Sequence, residues 1–471
     1  MPENFISENF LLQSEQAREL YHDFAEDMPI IDYHCHLSPQ QVSADQRWEN
    51  ITQIWLYEDH YKWRVMRANG VSERYCTGDA SDWEKFEAFA ATMPYLLRNP
   101  IYHWCHLELK RYFDISDVLL CPETARTIYE RCNEKIRTPR FSSRSLMKQS
   151  NVALVCTIDD PTDDLEHHRT VGEDASFDIR MLPAWRPDKG MAVENAKTFN
   201  AWVDRLAAAA GVGIRTFDDY MTAMRKRHDF FGANRCRLSD HGIEAPYAED
   251  YTITQIEGVF SKIRGGGELD VEEVLKFKSA MLYEFALMDH EKDWTQQFHF
   301  GVLRNLNTRM FAKAGPDSGF DSTGDFEIAL PLSKFLDRLD RTGQLTRTIF
   351  YNLNPRDNEL LVSMIGNFQD GATPGKIQLG SAWWFLDNID GMTRGMEALS
   401  NSGLLSRFVG MTTDSRSFIS YVRHEYFRRL LCNILGGEMG RGLIPDDMEL
   451  VGKMVGDICY NNAASYFGFD I

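Results

Sequence analysis

Nowhere in these 471 residues do two cysteines form a C-x-x-C pair, and the nine that occur, from Cys35 to Cys459, are scattered and odd in number. A disulfide framework is therefore not expected. Several of the thiols sit in apolar runs, as Cys156 does in NVALVCTID, which suits reduced, buried cysteines in a cytosolic setting. Positive charge is scarce as well: 51 Lys and Arg stand against 70 Asp and Glu, for a formal net charge of −19. Phosphate backbones need a basic face, so a nucleic-acid partner is not expected. No apolar stretch is long enough to span a bilayer, and the opening MPENFISENFLLQSEQAREL lacks the basic and apolar regions of a signal peptide. A cytoplasmic, soluble protein without a membrane partner is the expectation. Short-period repeats and low-complexity linkers are missing too. The glycine triplet at 265–267 follows no strand and so is not a phosphate cradle.

What is present is a globular composition, 43% hydrophobic and 26% charged, on a chain long enough for one very large core or two to three ordinary ones. The β-branched pair Ile30–Ile31, stopped by Ser38–Pro39, reads as a short buried strand. Residues from about 40 to 150 show helical spacing and no convincing strand. Then short apolar runs alternate with helical stretches: 152–157, 178–185, 235–240, 296–302, 348–353, 376–381 and 407–413. With the first, these make eight strands. Strand–helix alternation implies a parallel sheet, and eight units imply an α/β fold of the (β/α)8 barrel type, an open doubly wound sheet being the alternative. The expected organisation is an N-terminal segment with the first strand at 1–39, a helical insertion at 40–150, and the rest of the barrel at 151–471.

In such a barrel, chemistry sits where strands run out into loops. His34 and His36 stand two apart at the end of the first strand, so alternation points them, with Asp32, to one side. Asp414 directly follows the eighth strand, which a closed barrel places beside the first. His299 in the fifth could approach the same ion from across the mouth. Histidine and carboxylate ligands suit Zn2+ or a similar divalent ion. Each residue also has an ordinary reading: Asp414 could cap the helix that follows it, and His299 could be a core histidine. Arg186, Arg304 and Arg416 fall at or near strand ends, and a guanidinium offers a planar fork for a carboxylate. His60 and Tyr61 come from the insertion, which could fold over the mouth. The Glu166-His167-His168 run is set aside, because adjacent residues on a helix diverge.

DYHCHLSP, YEDHYKWRVMRANGV, AWRPDK, FHFGVLRNLNTRMFAKAGPDSGFDS, GSAWWF and TTDSRSFISYVRHEYFRRLL occur in this order over nearly the whole chain. Together they resemble the uronate isomerases of the amidohydrolase superfamily. The resemblance implies a (β/α)8 barrel with a helical insertion that converts D-glucuronate to D-fructuronate and D-galacturonate to D-tagaturonate. It makes His34, His36 and Asp414 metal ligands and sets His60, Tyr61, Arg186 and Arg416 around the sugar acid. His299 matches a fifth-strand histidine that binds either metal or substrate. The fourth strand ends in SDHG with no lysine to bridge two metals, which favours a single ion, and Asp240 and His241 are expected to line the pocket. Aldose–ketose isomerisation through an enediol needs a base, a group that handles oxygen charge, and a grip on substrate. Asp414 is the candidate base and Tyr61 the candidate for the carbonyl or hydroxyl oxygen. His60, Arg186, Arg304, Arg416, His299 and His241 are the candidate substrate contacts. The expected partners are a small sugar acid and further copies of the chain. A metal-dependent hydrolase, with Asp414 activating a water, and a non-catalytic sugar-acid binder are the rival readings.

Overall fold

The computed structural model describes residues 5–469 and 471. Strands β1 (Ile30–Cys35), β2 (Val152–Asp159), β3 (Arg180–Trp185), β4 (Leu238–Ile243) and β5 (Thr295–Phe300) are followed by β6 (Val302–Leu303), β7 (Ser322–Thr323), β8 (Thr348–Asn352) and β9 (Ile377–Leu379). Seven of them form one parallel sheet in the order β1-β2-β3-β4-β5-β8-β9, while β6 and β7 pair antiparallel as a separate ribbon. Alternate side chains, among them Tyr33, Leu154, Cys156, Leu182, Ala184, Leu238, Ile349 and Tyr351, join in one buried cluster. Their neighbours in sequence, such as Val155, Met181, Phe298 and Phe350, pack instead with the surrounding helices.

The eighth strand expected at 407–413 does not form among the described residues. Side chains take the backbone donors that a ladder would need. The Val409 amide donates to Gln378 Oε1 (3.2 Å), the His34 amide to Thr412 Oγ1 (3.1 Å) and the Thr413 amide to Asp32 Oδ1 (2.8 Å). Gly410 has φ +79°, and a Cβ there would stand 2.3 Å from the Ile458 carbonyl oxygen, so this turn requires glycine. Two backbone bonds still tie the segment to β1: Asp414 N–H to the His34 carbonyl (3.2 Å) and His36 N–H to the Ser415 carbonyl (2.9 Å). The fourth strand starts three residues later than expected, because Arg235 at φ +68° still belongs to the turn.

Between β1 and β2 the described residues hold helices and one isolated bridge, Arg47 to Ser142. Helices Ile51–Leu56, Asp82–Thr92 and Pro100–Phe113 share a core with the N-terminal helix Glu15–Phe24 and with Val422–Arg441. Helix His60–Ala68 begins where Asp59 accepts from the Tyr61 (2.9 Å) and Lys62 (3.0 Å) amides, a cap that fixes where His60 and Tyr61 emerge. All nine cysteines are free, and among the described residues no helix is long and apolar enough to cross a membrane.

Candidate active site

The C-terminal ends of the strands surround a cavity of about 700 Å3 lined by His34, His36, His60, Tyr61, Arg186, His299, Arg304, Asp414 and Arg416, with Trp383, Trp384 and Asp317 among their neighbours. Nine of the ten candidate catalytic, metal-binding and substrate-binding residues therefore meet in one place, while Asp240, also expected in the lining, is fully buried behind it. The tenth, His241, does not: it is buried behind the cavity, stacked on Phe298 at 5.0 Å, with Nδ1 3.4 Å from Asp188 Oδ1. The later start of β4 explains this, since Asp240 takes the inward position and alternation turns His241 away. Asp32 is also absent from the lining and bonds Thr412 and Thr413 instead.

Asp414 is the hub. Its Oδ1 stands 3.0 Å from both His34 Nε2 and His36 Nε2, and its Oδ2 accepts from the Trp383 indole at 2.8 Å. Burial alone would raise the carboxyl, but the His34 and His36 imidazoles outweigh it and hold Asp414 well below the usual range. Burial lowers His36, and its bond to Asp414 does not fully offset that. Burial also pulls on His34, yet the Asp240 and Asp414 carboxylates overcome it and raise its pKa. Asp414 itself sits at φ +48°, a left-handed conformation that Asp tolerates better than most side chains.

Behind His34 lies a second layer. Asp240 Oδ1 is 2.7 Å from His299 Nδ1 and 3.8 Å from His34 Nδ1, while Arg186 Nη1 reaches Asp240 Oδ2 at 3.1 Å. Arg186 Nε also donates to Asp188 Oδ2 at 2.9 Å. Gly242 makes room for this guanidinium: a Cβ there would lie 1.9 Å from Arg186 Nη2. Burial drives His299 down to about 4, so at neutral pH it is an uncharged imidazole, stacked face to face on Tyr351 at 4.2 Å.

His34, His36 and Asp414 offer ligand atoms within 4.8 Å of one another, and so do His34, Asp240 and His299. The first set fits a divalent ion: two imidazole nitrogens already face one carboxylate oxygen, and His34 Nδ1, without a hydrogen-bond partner among the described residues, turns to Asp240. The second set already carries the Arg186 guanidinium on Asp240, whose positive charge competes with a cation.

Tyr61 lines the cavity, and its hydroxyl makes no hydrogen bond among the described residues. Burial first, then the Asp414 charge, keep its pKa well above the ordinary value, so it stays protonated as a donor. Arg423, buried beneath it, lies 5.5 Å from its ring and donates to the Thr413 carbonyl at 3.0 Å. Arg304 and Arg416 each stand 3.4 Å from an oxygen of Asp317, on different oxygens. Sequence reasoning passed over Asp188, Trp383, Asp317 and Arg423. The first two were in sight, beside Arg186 in AWRPDK and within GSAWWF, whereas nothing local marks Asp317.

A family model described as glucuronate isomerase matches residues 2–467. The chain belongs to that family and is an isomerase. It is 59% identical over 466 residues to a uronate isomerase of Cellvibrio japonicus, covering 99% of both chains. It is 60% identical over 468 residues to one of Bacteroides thetaiotaomicron, covering 99% of this chain and 100% of the relative. Among solved structures, a uronate isomerase from Thermotoga maritima superposes with a TM-score of 0.92 at 33% identity, over 98% of this chain and 99% of that one. A glucuronate isomerase from Caulobacter crescentus gives 0.91 at 25% identity, over 99% and 97%.

Proposed function

We propose that this isomerase interconverts D-glucuronate and D-fructuronate, and D-galacturonate and D-tagaturonate, by proton transfer through an enediol. The observation that carries the reading is the convergence of Asp414, His34 and His36 in a cavity also lined by Tyr61, Arg186, Arg304 and Arg416. A carbon-bound proton needs a base, and Asp414 is a carboxylate held ionised with lone pairs to spare. In this account Asp414 takes the proton from C2 of the open-chain aldose and returns it to C1. Tyr61 donates to the oxygen on which negative charge develops. Arg416, Arg304 and His60 hold the C6 carboxylate, and that grip fixes which carbon faces the base. Arg186, braced by Asp188 and Asp240, binds substrate oxygens from the other wall, and Trp384 covers the site beside His60 at 5.1 Å.

His34, His36 and Asp414 would hold one divalent ion, with Zn2+ the expected one. Such an ion supplies Lewis-acid stabilisation of negative charge on oxygen. The segment 408–414 takes the place of an eighth strand and completes a (β/α)8 arrangement through the side-chain bonds from Asp32, Gln378 and Thr412. Free thiols throughout the chain support work in a reducing cytoplasm.

The test is turnover of D-glucuronate, D-galacturonate and D-glucose by the purified protein, followed by NMR. The account expects ketose from one or both uronates and none from glucose. Equal turnover of glucose would remove the carboxylate grip from the mechanism.

A further inference from the structure

Arg304 and Arg416 are the cations assigned to the substrate carboxylate, yet a carboxylate of this chain already stands between them. Asp317 Oδ1 lies 3.4 Å from Arg304 Nη1 and its Oδ2 lies 3.4 Å from Arg416 Nη2. The geometry is loose for a charge-assisted pair, and Asp317 is half exposed at 51%. We propose that Asp317 is a placeholder: it occupies the carboxylate subsite in the free enzyme and must leave before the C6 carboxylate of a uronate can be gripped.

Its segment is built to move a short way. Gly315 (φ +75°), Asp317 (φ +53°) and Gly319 (φ +94°) put three left-handed residues within five positions. The turn is anchored on its C-terminal side, just after Asp317. Arg67 donates to the Ser318 carbonyl at 2.6 Å, Arg64 to the Asp321 carbonyl at 2.8 Å, and the Asn305 amide to Asp321 Oδ1 at 2.7 Å. The β6–β7 ribbon closes the base of the loop. There is also somewhere for the displaced side chain to go. Asp317 and Arg416 form a wall between the main cavity and a neighbouring one of about 460 Å3. Lys85 lines that second space, resting 5.5 Å from the Tyr57 ring, with no carboxylate at ion-pair distance among the described residues.

Competition of this kind multiplies the apparent dissociation constant by the inverse of the fraction of enzyme whose subsite is vacant. Two exposed pairs of ordinary strength correspond to roughly three- to ten-fold. Asn matches the size of Asp and shares its tolerance of the left-handed region, so Asp317→Asn removes the charge with least disturbance of the loop.

The inference rests on the reading that Arg304 and Arg416 grip the substrate carboxylate, and the experiment separates the two. The inhibition constant of D-glucarate, which carries the C6 carboxylate but no carbonyl to isomerise, is measured alongside KM for D-glucuronate. Both are expected to fall three- to ten-fold in Asp317→Asn and to show no such fall when the substitution is made on Arg416→Met. Constants that rise in Asp317→Asn would make Asp317 a fixed brace for the arginines, and unchanged constants would show that it does not fill the subsite. Either result overturns the proposal while the grip stands. If Arg416→Met alone leaves both constants unchanged, the grip itself falls and the placeholder with it.

Discussion

Glu108 is an acid in the wrong place to be ionised. It sits on helix Pro100–Phe113, 4% exposed, and its Oε2 has no hydrogen-bond partner among the described residues. Burial pushes its pKa from the ordinary 4.5 up to about 7, against the pull of Lys62 and Arg423. The folded protein therefore binds a proton at Glu108 that the unfolded chain has released, so this residue costs stability as pH rises from about 4.5 to 7. Above pH 7 the full cost is about 3 kcal/mol, at 1.36 kcal/mol per pKa unit. Glu108→Gln is permanently neutral and escapes that cost. Its own packing adds a term that does not change with pH, so the difference between variant and parent is the quantity to follow. Urea unfolding monitored by tryptophan fluorescence at pH 5 and pH 8 measures it. The stability of Glu108→Gln relative to the parent should improve by about 2 to 3 kcal/mol between the two pH values. Parallel curves for the two proteins would show that Glu108 is solvated or fully paired, and the reasoning about this buried cluster would fail.

Trp383→Phe keeps a ring against His299 but removes the only donor to Asp414 Oδ2 among the described residues, so kcat/KM should fall about ten- to a hundred-fold with folding intact, by analogy with other bonds to charged groups. An unchanged rate constant would mean that the indole does not orient the carboxylate. Arg416→Met should lower kcat/KM for D-glucuronate by a similar factor, chiefly through KM, as steady-state kinetics would show. His34→Ala and His36→Ala should each lower bound divalent metal in elemental analysis while circular dichroism stays as in the parent. Full metal content in a folded variant would move the ion elsewhere.

The parts of this molecule that could be read in advance share one property: their signal is local. The two-residue spacing of His34 and His36 at a strand end, the helical rhythm after it and the carboxylate following an apolar run all lie within a few residues. The apolar run at 407–413 looks like any other strand, and what keeps it from forming a ladder is distant: Asp32 and Gln378 claim its amides. His241 faces away because of the register of β4, where both faces mix apolar and polar side chains (Leu238 and Asp240 on one, His241 and Ile243 on the other), so no apolar alternation marks the inner one. A one-position change of frame sends each side chain to the opposite face. Asp317 and Arg423 carry no local signal, because Asp317 reaches Arg416 across 99 positions and Arg423 packs on Tyr61 from the insertion, pairings set by how the loops and helices close. Trp383 was within reach, since an indole N–H near a strand end needs an acceptor when it is buried.

In the proposed mechanism Asp414 moves a carbon-bound proton of a uronate in the site formed with His34 and His36. The most direct measurement is 1H NMR of D-glucuronate in D2O with the parent enzyme and with Asp414→Asn, the variant first shown to be folded and loaded with metal to the parent's level. Asn retains size and hydrogen bonding but cannot accept a proton from carbon near neutral pH. The parent should form ketose, and the variant should lose both isomerisation and any deuterium incorporation next to the carbonyl, on the order of 10³-fold or more. Isomerisation by the folded, metal-loaded variant at nearly the parent's rate would contradict this mechanism.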